Sequence, residues 1–230
     1  MIRNILAATV ALMMSAGVQA QDVAGDLDEL SYKMGYDLGK HIQQLGISEL
    51  NYEVFSRAMG DSMAGRDNAL TEEQLKSAEL TRVKLQQAQM DIKRGELASA
   101  SENNRKSGEQ YLAGNAERDG VVSTVSGMQY EVVEMGEGPR PIATDTVTVH
   151  YRGTLIDGTE FDSSYSRGEP ATFGLDRVIS GWTEGLQLMP VGSKFKFHIP
   201  ANLAYGGRSM GNIGPNSTLV FDVELISIGE

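Results

Sequence analysis

Five large aromatic side chains, Tyr151, Phe161, Trp182, Tyr205 and Phe221, stand among strand and turn signals in the C-terminal half of the chain, and one acid, Asp162, directly follows Phe161. Rings that close around a hollow exclude water, and a lone carboxylate beside them supplies one fixed charge. The chain has no cysteine, and no second carboxylate, serine or histidine is placed by these motifs to work with Asp162 as a hydrolase would require. Such a pocket suits a reaction that breaks no covalent bond. Rotation about an X–Pro amide is one: resonance holds that bond planar with a barrier of about 18–20 kcal/mol. The twisted amide has lost the resonance and carries less charge separation, so a dry apolar wall favours it over the planar form. This is differential binding without acid, base or nucleophile. A thousandfold acceleration needs only about 4 kcal/mol.

Taken singly, each ring reads equally as core, and Asp162 as the cap of a turn before Ser163-Ser164. The elements that would bring the rings together are mostly strands. Residues 128–135 read as one. Residues 146–151 alternate, with Val147, Val149 and Tyr151 on one face and Thr148 and His150 on the other. Residues 155–161 predict a hairpin around Asp157-Gly158. Residues 178–188 are the one helical candidate, ending before Pro190, and Trp182 is expected between this helix and the sheet. Residues 194–199 alternate again with Phe195, Phe197 and Ile199 together, and 218–228 form the last strand. Five or so antiparallel strands and one short helix make an α+β domain over 121–230. His150 and His198 fall on the faces opposite the rings and are expected outside the chemistry. With His41 they are the only histidines, and their spacing matches no zinc motif.

The N-terminal half is different in kind. None of the six prolines precedes Pro139, as expected if that half is helical. Helices are predicted over 26–45, with an apolar stripe of Leu27, Leu30, Met34, Leu38 and Ile42, over 52–64, and from Thr71 to 116. Thr71 and Gln74 form a capping box at the start of the third. From 98 to 118 the stripe nearly vanishes, and a helix polar all round bridges or frays. That stretch reads as a spacer. Two short helices and one long one bury little surface alone. Met34, Leu38, Met59 and Met63 are therefore candidates for burial against a second copy of the chain. The alternative is an intramolecular three-helix bundle with the same methionines in its core.

The 230 residues carry a net charge of −11, spread evenly over both halves, which argues against a nucleic-acid partner. Residues 1–20 combine Arg3, an apolar run from Ile5 to Ala16 and a small-x-small pattern ending at Ala20, the arrangement of a cleavable secretory signal peptide. The run is shorter than the roughly 20 residues a membrane anchor needs. Export without cysteine is compatible with the periplasm, and association with the outer surface stays open. No cofactor and no metal are expected.

The order of motifs VHYRG, G-T-x-FDSS, VI-x-GW-x-EGL, M-x-VG, IP-x-x-LAYG and TLVFDVEL resembles FKBP-type peptidyl-prolyl cis-trans isomerases across nearly all of 121–230. The whole layout is similar to the macrophage infectivity potentiator-like group. The resemblance implies a signal peptide over 1–20, a helical dimerisation region over 21–70, a long connecting helix over 71–118 and an isomerase domain over 121–230. It implies a homodimer that acts on proline-containing polypeptides and assists the folding of exported proteins, with macrolide inhibitors as candidate ligands. The alternative is a client-binding module whose isomerase activity is incidental. Carried over by residue, Asp162, Tyr205 and Tyr151 would act on the reacting amide. Phe161, Val178, Ile179, Trp182, Ile213 and Phe221 would enclose the proline, with Arg167 holding Asp162. Ala171 stands where many members carry a larger side chain, so one wall is expected to be lower.

Overall fold

The computed structural model describes residues 25–229, so the expected signal peptide lies outside the described residues. The chain divides into two compact units between Ile92 and Lys93.

In the first unit, helix α1 (Asp26–Gln44) starts with Asp26, Asp28 and Glu29 in its first turn, where carboxylates complement the helix dipole. Helix α2 (Tyr52–Met63) is capped by Asn51, whose side chain accepts the Val54 N–H at 3.1 Å. Helix α3 (Glu72–Ala116) opens on the expected reciprocal cap. Gln74 Oε1 accepts the Thr71 N–H at 2.9 Å, and Thr71 Oγ1 accepts the Gln74 N–H at 3.3 Å. Neither α1 nor α2 buries a single residue.

The second unit is built on one antiparallel sheet of seven strands: β1 (Val121–Ser123), β2 (Gln129–Glu134), β3 (Thr146–Leu155), β4 (Glu160–Ser163), β5 (Ala171–Gly174), β6 (Lys194–Ile199) and β7 (Leu219–Gly229). The order is β1-β2-β6-β7-β3-β4, with β5 paired to β3 beside β4. β4 is the second arm of the expected hairpin, and the added strands are β1 and β5, three and four residues long, too short to alternate visibly in sequence. Helix α4 (Ser164–Arg167) follows β4, and α5 (Ser180–Leu186) covers one face of the sheet. Under α5 the core is made by the alternating residues: Val147, Val149 and Tyr151 on β3, Phe195, Phe197 and Ile199 on β6, and Leu219, Phe221, Val223 and Leu225 on β7. Trp182 lies between helix and sheet as expected, 5% exposed.

The opposite face is not bare. The last turns of α3, read as a spacer, lie along it within this unit and are held by polar groups. Asn216 Nδ2 donates to Ser101 Oγ at 2.8 Å, and Asn104 Nδ2 donates to the Pro215 carbonyl at 2.9 Å. Gln129 Nε2 donates to the Leu112 carbonyl and Asn115 Nδ2 to Gln129 Oε1, each at 2.8 Å. Tyr111 OH meets His198 Nδ1 at 2.8 Å, while His198 Nε2 meets Glu131 at 2.9 Å. Gly108 lets the backbone come this close, because a Cβ there would collide with Thr218 Oγ1. Asn115, Gln129 and His198 are all buried and all partnered. The helix lacks an apolar stripe here because hydrogen bonds make much of the contact.

Candidate active site

Between α5, β3–β4 and the loop before β7 the sheet opens into a cavity of about 650 Å³. Tyr151, Phe161, Asp162, Val178, Ile179, Trp182, Tyr205 and Phe221 line it, so eight of the expected residues share one hollow. The rings meet edge to face. Trp182 stands at 86° to Tyr151 and 80° to Phe221, with centroids 5.2 and 5.3 Å apart, and Phe161 meets Phe221 at 5.5 Å. These are the favoured aromatic geometries and fix the walls without polar contacts. The Trp182 Nε1–H has no partner among the described residues, so packing alone holds that ring.

Local sequence explains the positions. Gly153 on β3 pairs with Asp162 on β4 and Phe221 on β7. A Cβ at Gly153 would stand 2.7 Å from the Phe161 ring and 2.8 Å from the Phe221 ring, so the glycine is what allows the two rings to meet. Ser163 caps α4 by accepting the Ser166 N–H, and Gly168 ends it at φ +76°, a left-handed conformation that costs glycine little. This single turn sends Arg167 back over Asp162. Ser164 is fully buried and ties α4 to β3, accepting the Tyr151 N–H at 2.8 Å.

The result is a closed triad. Tyr151 OH donates a short hydrogen bond to Asp162 Oδ2, Arg167 Nη1 donates to Asp162 Oδ1 at 2.5 Å, and Arg167 Nη2 donates to Tyr151 OH at 2.9 Å. Burial pushes the Asp162 carboxyl up, but the bonds from Tyr151 and Arg167 and the guanidinium charge outweigh it, leaving it below the usual range. Burial and the neighbouring carboxylate push the Tyr151 phenol up, so it stays protonated. Ile179 precedes α5, and its N–H makes no hydrogen bond among the described residues, as at the start of any helix.

Two expected residues are not part of the wall. Arg167 stands behind Asp162, and Ile213 is 5% exposed in the core, on a loop closed by paired hydrogen bonds between Met210 and Ile213. Met210 takes the place at the wall instead. Phe173, unremarked in the motifs, is a sixth ring. It sits two residues beyond Ala171 on β5 and meets Tyr151 at 5.9 Å and Trp182 at 5.6 Å, so the wall near Ala171 is not low. Its signal was the alternation Ala171-Thr172-Phe173. Arg177, Ser180, Ala204, Arg208 and Ser209 complete the lining; Ala204 belongs to the LAYG motif and Ser180 to a variable position between Ile179 and Gly181, while the other three lie outside the motifs. Of the four dimerisation candidates, Leu38 and Met59 line a groove of about 580 Å³ on α1 and α2, while Met34 and Met63 are 63% and 87% exposed.

Comparison with known proteins places this geometry. Residues 137–226 match the family described as FKBP-type peptidyl-prolyl cis-trans isomerase, and residues 27–132 match the domain amino terminal to it. The chain is 45% identical to the outer membrane protein MIP of Legionella longbeachae over 97% of its own length and 96% of the relative's. It is 48% identical to the FKBP-type peptidyl-prolyl cis-trans isomerase FkpA of Aeromonas hydrophila, over 87% of this chain and 76% of that one. Among solved structures, FkpA from Escherichia coli superposes with a TM-score of 0.61 at 39% identity, covering 89% of this chain and 97% of the other. With the fold, the ordered motifs and relatives similar over most of their length in agreement, the chain belongs to the family of FKBP-type peptidyl-prolyl cis-trans isomerases.

Proposed function

We propose that the cavity twists X–Pro amides of exported polypeptides by desolvation, with Asp162, Tyr205 and Tyr151 nearest the reacting bond. The observation that carries this reading is the enclosure of one ion-paired, oriented carboxylate by six aromatic rings in a single hollow. The proline ring packs on Trp182, with Phe161, Phe173, Val178 and Phe221 around it. The unbonded Ile179 N–H and the Tyr205 hydroxyl are placed to donate to carbonyls on either side of the proline, which holds the chain while the amide turns. The triad keeps Asp162 ionised and fixed in direction, so its field acts on the carbonyl of the rotating bond at no reorganisation cost. Macrolide inhibitors would compete for the same hollow. A peptide isomerisation assay on the mature chain tests the proposal, and absence of catalysis on any prolyl peptide would end it.

Export to the periplasm rests on the sequence of residues 1–20 and on relatives that include one named an outer membrane protein. Dimerisation rests on α1 and α2, which carry Leu27, Leu30, Met34, Tyr36 and Met63 more than half exposed. An apolar face of this kind on a soluble chain marks an interaction surface. The second reading, client binding with incidental isomerisation, is favoured by the same groove, lined by Tyr36, Ile42, Ile47, Phe55 and Met59. Light scattering separates the two: a mass of two chains without client supports self-association, and a monomer leaves the groove to clients.

A further inference from the structure

The mouth of the cavity carries a charge pattern at odds with the rest of the protein. The whole chain is at −11, yet the cavity lining holds one acid, Asp162, and two arginines, Arg177 and Arg208. The acid is already paired with Arg167. The two arginines are not matched in the same way. Arg208 makes no side-chain hydrogen bond or ion pair among the described residues. Arg177 meets only Asp176, at 3.8 Å, with both side chains largely exposed, which is too loose to cancel its charge.

Both sit on turns whose backbone is fixed. The Arg177 N–H donates to the Gly174 carbonyl at 3.0 Å, directly before Val178 and Ile179 in the wall. The Arg208 N–H donates to the Tyr205 carbonyl at 3.3 Å, and the same loop is tied down by the Asn216 N–H on the Gly206 carbonyl at 2.7 Å and by the Met210–Ile213 pair. The stems of the arginines are therefore held at the cavity while their guanidinium groups stay free in solvent.

A peptide whose proline occupies the cavity must lead its flanking residues out past these two loops. We propose that Arg177 and Arg208 make the site select prolines flanked by glutamate or aspartate. The proposal rests on the reading of this cavity as the isomerase site and adds to it the chemistry of the preferred substrate. The guanidinium group suits the partner, since its planar donors match a carboxylate in pairs. The overall negative charge makes the preference local: an acidic peptide gains nothing from the protein's field except at this mouth.

The test uses the mature full-length protein and blocked tetrapeptides that differ only in the residue before proline, or only in the residue after it: Glu, Gln or Lys. Exchange between cis and trans resonances is followed by NMR, which needs no coupling protease with charge preferences of its own. At about 0.02 M salt the Glu peptide of at least one set exceeds its Gln counterpart in kcat/KM by about two- to fivefold, the range an exposed ion pair supplies. At about 0.5 M salt, where the screening length is roughly 4 Å, the ratio approaches one. In Arg177→Gln/Arg208→Gln the ratio is about one at low salt, whatever the variant does to the Gln peptide. In Arg177→Glu/Arg208→Glu the preference passes to the Lys peptide. The single variants assign each arginine to one side of the proline. A wild-type ratio of one or less overturns the proposal, and so does a ratio that survives the double substitution. Loss of catalysis on the Gln peptides in the wild type would strike the isomerase reading of the cavity instead, so the two failures are distinct.

Discussion

The Tyr151 hydroxyl and the Asp162 carboxylate are joined by a short hydrogen bond across two paired strands, and Arg167 reaches both from one guanidinium group. The aspartate is thus an oriented charge rather than a proton carrier. Replacing Asp162 by Leu removes the charge and leaves Arg167 and Tyr151 without their partner. We expect Asp162→Leu to slow isomerisation about tenfold or more, the equivalent of one charge-assisted hydrogen bond. Tyr205→Phe, which removes one hydroxyl from the wall, is expected to cost somewhat less. A proline-limited refolding assay checks both, with circular dichroism to verify the fold. Unchanged rates would take those residues out of the mechanism.

The same triad fixes the pH dependence. The Asp162 carboxyl is depressed in the folded protein, so its contribution is complete above the ordinary aspartate value of about 3.9 and is lost only as pH falls through the lower folded value. Tyr151 is raised and stays protonated beyond about pH 10. Between about pH 5 and about pH 9 the rate constant for a neutral peptide should therefore be flat. A profile with a midpoint near 6 or 7 would point to a histidine that this site does not contain.

On the far face, His198 gives a sensitivity of the same direction but at higher pH, and in stability rather than rate. Burial pushes its imidazole down, and the Glu131 carboxylate only partly opposes that. The unfolded chain therefore binds the proton more readily. Stability should fall as pH drops below about 6.5, the unfolded histidine value, and continue down through the lower folded value. Tyr111→Phe leaves His198 Nδ1 buried without its partner and should cost about 1–2 kcal/mol. Thermal unfolding of wild type and variant from about pH 5 to about pH 8 measures both effects. A melting temperature unmoved by the substitution would show that the contact carries no weight.

Truncation offers a separate check on that face. A fragment of 121–230 keeps every ring of the cavity but strips α3 from Gln129 and His198 and Arg118 from Glu131. It should turn over short peptides yet unfold at lower denaturant than a fragment beginning at Lys93. Equal midpoints in urea would mean the last turns of α3 add nothing to the sheet.

Gly153→Ala tests the ring packing. The added methyl meets Phe161 and Phe221 at once, and overpacking of this kind costs about 1–3 kcal/mol. We expect lower stability together with slower catalysis, since the displaced rings are cavity walls. Stability loss with full activity would separate the rings from the reaction.

Most of the cavity was legible because its rings sit on strongly alternating strands or beside distinctive turns. Tyr151 and Phe221 share their faces with Val149 and Val223, and Trp182 falls in α5, the helix expected over 178–188. Phe173 escaped because β5 is four residues long and Ala171 drew attention to a missing bulk that its neighbour restores. Ile213 packs in the core because a loop's inward or outward turn depends on backbone bonds, here between Met210 and Ile213, that no side-chain pattern records. Arg177 and Arg208 carry no periodic signal at all. The docking of α3 was invisible for a related reason. A contact made through Asn104, Tyr111, Asn115 and Gln129 leaves a stretch that looks like an ordinary solvated surface.

That contact has a consequence for handling in the test tube and in the cell. If the last turns of α3 lift from the sheet, what is uncovered is largely wettable: amides, hydroxyls and one imidazole, beside the apolar side chain of Val220. An opened molecule would thus expose mainly polar groups along this face, with Val220 among them, and it could close again by finding the same donors and acceptors.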